Sequence, residues 1–244
     1  MTLIKFCGLV RSEDVEVAGR LGVDYAGFVL YAKSPRALQL EQAHELRKRL
    51  PSFMRCVGLF VNAHPLYVQA AHQRLGLDVI QFHGDESPQS CLEAAPVAFW
   101  RAVRMQNRES LALAMGAFAR AGVQASGAQT EIVAVAHTRP CEAFLVDADA
   151  RTAYGGSGQI FDWSWLALPA QRPERLILSG GLTPENVQSA LLAVQPWAVD
   201  VSSGIQGASP RRKDAGKMEA FVHAVRAHGQ SKAAAHSFQR EADG

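Results

Sequence analysis

The apolar residues of this chain gather in short continuous runs, and stretches of helical spacing separate them. Runs at residues 3–9, 25–30, 55–61, 79–82, 98–103, 143–146, 176–178 and 198–201 are bounded by Gly, Asn, Asp or Ser. Such runs predict strands buried on both faces. Residues 11–21 place Val15, Val17, Ala18 and Leu21 at helical spacing, with Gly22 as a stop. Helices are also predicted over 40–50, closed by Pro51, over 64–75, ended by Gly76, and from Ser87-Pro88. Four more follow: over 110–121, from near Phe161-Asp162-Trp163, from Thr183 through Asn186, and over about 213–227.

Strand then helix, eight times over, predicts a parallel sheet with right-handed crossovers. Eight units in 244 residues favour closure into a (β/α)8 TIM barrel over an open doubly wound sheet. No G-x-G-x-x-G follows the first strand, which weighs against dinucleotide binding. The pattern assigns residues 1–229 to one barrel domain and residues 230–244 to a disordered tail. Residues 122–140 exceed an ordinary connection, and their centre, 131–135, has the makings of an extra strand.

Composition narrows the class only a little. The chain is 48% hydrophobic and 20% charged, with a net charge of +2, so nothing calls for a nucleic-acid or membrane partner. No apolar run approaches the roughly 18 residues of a membrane span. No basic and then apolar leader precedes the first strand. Cys7, Cys56, Cys91 and Cys141 lie far apart without a C-x-x-C pair. That opposes a disulfide framework or a zinc site and fits a reducing cytoplasm.

Chemistry is expected where the strands end, since a barrel of this kind carries its site at the C-terminal ends. The last two strands each open into small residues, Ser179-Gly180-Gly181 and Ser202-Ser203-Gly204. Such loops let backbone N–H groups approach an anion, and paired after strands 7 and 8 they predict a phosphate cradle. The polar residues at strand exits are Cys7, Arg36, Asn62, His83, Asp85, Arg101, Asp147, Asp149, Asp200 and Ser203. On spacing alone Cys7 is favoured as a small buried packing residue and Arg36 as a solvated loop charge, and His83 also reads as a core or capping residue. Asp147 adjoins its strand and is preferred over Asp149, which lies in the loop. Asp200 also suits a salt bridge inside the barrel with Lys5, which shares the inward parity of Cys7. No metal-ligand set is apparent. With Lys5 placed below Cys7, no lysine is expected at the mouth.

Several stretches together resemble the phosphoribosylanthranilate isomerase family of tryptophan biosynthesis. They are Lys5-Phe6-Cys7-Gly8, Ser34-Pro35-Arg36, Val57 to Asn62, Gln81-Phe82-His83-Gly84, Leu145-Val146-Asp147, Gly155-Gly156-Ser157-Gly158, Ser179 to Val187 and Val199 to Gly204. The resemblance implies a cytoplasmic isomerase that needs no metal or organic cofactor. Its small-molecule substrate is N-(5′-phosphoribosyl)anthranilate, and the chain is expected as a monomer or homodimer. It implies that Asp147 is the general acid that opens the ribose ring and Cys7 the general base at C2′. It further implies that Arg36 binds the anthranilate carboxylate, and that His83 and Asp200 contact the substrate, Asp200 near the anthranilate amine. Gly156, Ser157, Gly158, Gly180, Gly181, Ser203 and Gly204 then hold the phosphate. A neighbouring epimerase or synthase barrel, a bifunctional isomerase, and a non-catalytic phosphosugar-binding barrel are the competing readings. One departure stands out: Arg211 follows Pro210 where the family has Gly.

Overall fold

The computed structural model describes residues 1–127, 141–148, 160–168 and 171–242, with side chains described for 1–121, 141–148, 160–168 and 171–229. The extra-strand expectation at 131–135 lies outside the described residues. Eight parallel strands close into a barrel in sequence order. They are β1 (Leu3–Cys7), β2 (Tyr25–Val29), β3 (Arg55–Phe60), β4 (Val79–Phe82), β5 (Phe99–Met105), β6 (Ala143–Ala148), β7 (Leu176–Leu178) and β8 (Ala198–Val201). The helices are α1 (Ser12–Arg20), α2 (Leu40–Arg47), α3 (Pro65–Leu75), α4 (Pro88–Ala94), α5 (Ser110–Gly127), α6 (Val187–Val194) and α7 (Ala215–Ala242). Among the described residues, no helix is long and apolar enough to cross a membrane.

Local chemistry explains most of these boundaries. Ser87 accepts a hydrogen bond from Ser90 N, and Pro88 occupies the first turn of α4. Gly76 ends α3 in the left-handed conformation, φ +58°. Two expected helices differ from prediction. The segment at Phe161 to Trp163 yields only a 3-10 turn, Trp163–Leu166, capped by Asp162. The segment from Thr183 forms a turn first, because Asn186 Oδ1 accepts from Thr183 N and its Nδ2 donates to Gly181 O. Regular helix therefore begins only at Val187. The last helix runs on well past residue 227, to Ala242.

Two cores follow from strand parity. Outward residues such as Phe6, Phe28, Phe60 and Phe82 pack under the helices. Inward residues Tyr25, Val57, Val79, Trp100, Ala102, Ala143, Leu145, Ile177 and Ala198 fill the barrel. Tyr25, Trp100 and Trp197 meet edge to face or tilted at its N-terminal end, with ring centroids 4.9–6.2 Å apart. One inward step further along the strands, apolar residues give way to Lys5, Gln81 and Asp200, then to Cys7, His83 and Asp147, all buried. The closed, plugged end fixes the polar end as the mouth.

Candidate active site

The thiol comes from β1. Cys7 is the last residue of that strand and is 6% exposed. Gly8 follows at φ +70°, and a Cβ there would lie 2.4 Å from Arg36 Cδ. The chain therefore turns sharply beside the arginine only because residue 8 is glycine. Gly27 on β2 has a similar use: a Cβ there would lie 3.1 Å from Cys7 Sγ and from Lys5 Cε. Beneath the thiol, Lys5 Nζ sits 2.9 Å from Asp200 Oδ1. Burial opposes the charge on Lys5, but Asp200 and Cys7 outweigh it and raise its pKa. The Cys7 pKa is raised: burial and then the Asp200 carboxylate push it up, and Lys5 and, less, Lys213 pull it down without cancelling the rise. Beside Cys7, Val29, Leu59 and Val61 form an apolar wall.

Arg36 is not a solvated loop charge. It is 7% exposed, Nη2 donates to Gln206 Oε1 at 2.5 Å, and its buried Nε has no hydrogen-bond partner. Burial lowers its pKa. An unpaired buried guanidinium N–H is costly, so this group is suited to an acceptor with a planar pair of oxygens.

The carboxylate comes from β6. Asp147 is 4% exposed, and its Oδ1 accepts from Ala148 N at 2.8 Å. His83 Nε2 lies 3.3 Å from Asp147 Oδ2, and Gln81 Nε2 lies 2.9 Å from His83 Nδ1. The imidazole is thus lodged between the Gln81 amide and the Asp147 carboxylate. The 3.3 Å approach is too poorly aligned for a good hydrogen bond. Asp149 lies outside the described residues.

The two Gly/Ser loops meet backbone to backbone. A Cβ on Gly204 would lie 1.8 Å from Leu182 O, and one on Gly180 would lie 2.6 Å from Ala148 N and 2.9 Å from Asp147 Oδ1. Gly180 and Gly181 adopt φ +86° and +61°. Gly180, Gly181, Ser202 and Ser203 line one small cavity with Asp147 and Asp200. A larger cavity of about 440 Å³, lined by Ala98, Cys141, Glu142 and Arg175, lies at the opposite end of the barrel, away from these groups. Gly156, Ser157 and Gly158 lie outside the described residues.

Three strand-exit candidates belong to a separate network. Asn62 Oδ1 accepts from Asp85 N, Glu86 accepts from Asn62 N and Gly84 N, and Arg101 pairs with Glu86 at 2.9 Å. They fasten the exits of β3, β4 and β5. The sequence reading missed Lys213, which is 7% exposed, with Nζ 2.7 Å from Cys7 O and 2.9 Å from Ser202 O. A lysine therefore does stand at the mouth, delivered by the loop after β8. It also missed the apolar wall, although inward parity on β2 and β3 marks those residues. Among the described residues, no group of three or more His, Cys, Asp or Glu side chains is arranged to hold a metal ion.

A closed barrel with small-residue loops after its last two strands, and a thiol and a carboxylate at the same mouth, is a (β/α)8 barrel with the layout of an enzyme of that fold. The family model for N-(5'phosphoribosyl)anthranilate (PRA) isomerase matches residues 4–224. The chain belongs to that family. The N-(5'-phosphoribosyl)anthranilate isomerase of Leptothrix cholodnii is 43% identical over 225 residues, which are 92% of this chain and 91% of that one. A crystal structure of phosphoribosyl anthranilate isomerase in complex with reduced 1-(o-carboxyphenylamino)-1-deoxyribulose 5-phosphate superposes with a TM-score of 0.75. It is 31% identical and covers 93% of this chain and 100% of that one. A structure of monomers of the dimeric enzyme from Thermotoga maritima gives a TM-score of 0.74 at 31% identity, with the same coverage.

Proposed function

We propose that this mouth carries out the isomerisation for which the family is named, and that Cys7 and Asp147 are its base and acid. The reaction is the Amadori rearrangement of N-(5′-phosphoribosyl)anthranilate to 1-(2-carboxyphenylamino)-1-deoxyribulose 5-phosphate in tryptophan biosynthesis. The observation that carries the role assignment is the convergence of a buried thiol and a buried carboxylate on one mouth, with the cradle of β7 and β8 beside them.

The cradle residues Gly180, Gly181, Ser203 and Gly204, joined by Gly156, Ser157 and Gly158, hold the phosphate. Arg36 takes the anthranilate carboxylate, and the ring lies against Val29, Leu59 and Val61. Asp200 lies near the amine, and His83 lies beside the acid on the sugar side. Asp147 gives a proton to the ribose ring oxygen as the C1′–O bond breaks, leaving an iminium between C1′ and the amine nitrogen. That iminium acidifies the C2′ proton, which Cys7 removes as the thiolate. The enolamine so formed tautomerises to the ketone. Lys5 below and Lys213 behind favour the thiolate that burial and Asp200 disfavour. Binding energy from the remote phosphate serves to position the reacting carbons.

The direct test adds purified protein to the fluorescent substrate. Loss of anthranilate fluorescence is expected, and an unchanged signal from folded protein would sink the reading. A monomer or homodimer, read by sedimentation, and a reducing cytoplasm complete the proposal. All four cysteines are free, which supports the compartment.

A further inference from the structure

The loop that follows β8 turns back over the first strand exit. Gln206 and Lys213 bridge as an antiparallel pair, Gly207 N donates to Arg212 O, and Lys213 N donates to Asp14 Oδ2 on α1 at 3.1 Å. These contacts drive the Lys213 side chain inward. Its Nζ donates to Cys7 O at 2.7 Å, Ser202 O at 2.9 Å and Ser202 Oγ at 3.3 Å, while Ser202 Oγ donates to Cys7 O at 3.0 Å. On the other side of the same corner, Gly8 N donates to Gly27 O at 2.9 Å. The peptide that carries the thiol is thus held from β2 on one side and by Lys213 on the other.

We propose that Lys213 is a positioning residue of the isomerase: its buried ammonium fixes the Cys7 peptide against the exit of β8 and adds a second cation, after Lys5, beside the thiolate. The inference rests on the role proposed for Cys7. The other charged groups facing this corner are already committed. Lys5, from β1, is paired to Asp200 of β8 and also acts on the Cys7 thiol, more strongly than Lys213 does, while Asp200 opposes both. Arg36, from the loop after β2, holds Gln206 and is assigned the substrate carboxylate. Asp14, from α1, meets the Lys213 backbone and lies 3.9 Å from Arg11. The Lys213 ammonium itself touches three neutral oxygens and, among the described residues, no carboxylate. A charge buried without an ion partner is retained at a cost, and here the group it faces is the thiol's own residue. Burial first, and then Arg36, lower the Lys213 pKa to about 8. The ammonium is present below that pH and lost above it.

The test compares Lys213→Met and Lys213→Arg with the wild type. Measured are kcat, KM and the pH profile of Cys7 alkylation by iodoacetamide, with the modified peptide identified by mass. Lys213→Met is expected to lower kcat by about 10–100-fold with KM within about threefold, as for loss of a group that serves the acid–base step. Lys213→Arg, which keeps the cation, is expected to recover most of that loss. The alkylation midpoint of Cys7 is expected to be higher in the Met variant than in the Arg variant. Equal midpoints, or an Arg variant no better than Met, overturn the proposal. Should Lys213→Met fail to fold, the wild type against Lys213→Arg decides. The wild-type kcat is expected to fall as pH rises through about 8, and the Arg variant to hold its rate further up. Coincident alkaline limbs overturn it. Alkylation needs no turnover, so an inactive wild type would fail the isomerase reading while the coupling of Lys213 to Cys7 was still decided.

Discussion

Cys7 and Asp147 are buried to nearly the same degree, 6% and 4% exposed, yet their surroundings differ in sign. Around the thiol stand Lys5 with its partner Asp200, and Lys213, with Arg36 packed against the neighbouring Gly8. Around the carboxylate stand one imidazole, at 3.3 Å, and the backbone N–H of Ala148. The difference follows from the work proposed for each. A buried thiol is easily kept neutral, so a base made from one has to be surrounded by positive charge. A carboxyl that must give up a proton is served by a backbone N–H, which donates a hydrogen bond and adds no charge. One mouth thus holds a wall rich in cations and, among the described residues, a wall without Lys or Arg, with the small-residue loops after β7 and β8 beside them.

The contrast is broken most severely by removing either pole. Cys7→Ala and Asp147→Asn are each expected to lower kcat by about 10²–10⁴-fold, with modest change in KM, in steady-state assays. Wild-type kcat in either variant would refute that role. Next comes the charge inside the cationic wall. Lys5→Met strands Asp200 without its partner, and chemical denaturation is expected to show a loss of roughly 3–5 kcal/mol. The matching change on the other wall, His83→Gln, removes one long contact to Asp147 and the bond to Gln81, and is expected to cost only about 1–2 kcal/mol by the same measurement. Equal losses from the two would erase the distinction between the walls. Arg36→Lys keeps the charge but loses the planar fork, and is expected to raise KM about tenfold with kcat less affected. The smallest effect belongs to Arg211, whose Nη1 donates to Pro35 O and Ala37 O at 3.3 and 3.1 Å. Arg211→Ala loosens the loop that carries Arg36 and is expected to raise KM only about threefold.

The two walls were not equally legible in the sequence. Strand number and closure were, because eight apolar runs of the right length leave few other topologies. Position at the strand exits then pointed Cys7 and Asp147 into one mouth, and parity suggested a pair between Lys5 and Asp200. The second lysine was hidden. Lys213 follows Arg211 and Arg212, and such a run reads as solvated charge. Its burial depends on Asp14, a carboxylate 199 residues earlier, that accepts its backbone N–H. Arg36 was hidden for a related reason, since what buries it is the missing side chain of Gly8. Local pattern reports what a strand points inward. It does not report what a distant loop is tied to. The shortened segments have a local cause that pattern also overlooks: Asn186 and Asp162 spend their side chains on turns, so regular helix starts late or not at all.

The division of labour between the walls is tested most directly with substrate deuterated at C2′, turned over by the Cys7→Ser and Asp147→Asn variants. A weakened base makes removal of the C2′ proton limiting, whereas a weakened acid makes ring opening limiting. The account therefore expects a full primary isotope effect on kcat in the Cys7 variant and little or none in the Asp147 variant. The reverse pattern would contradict it.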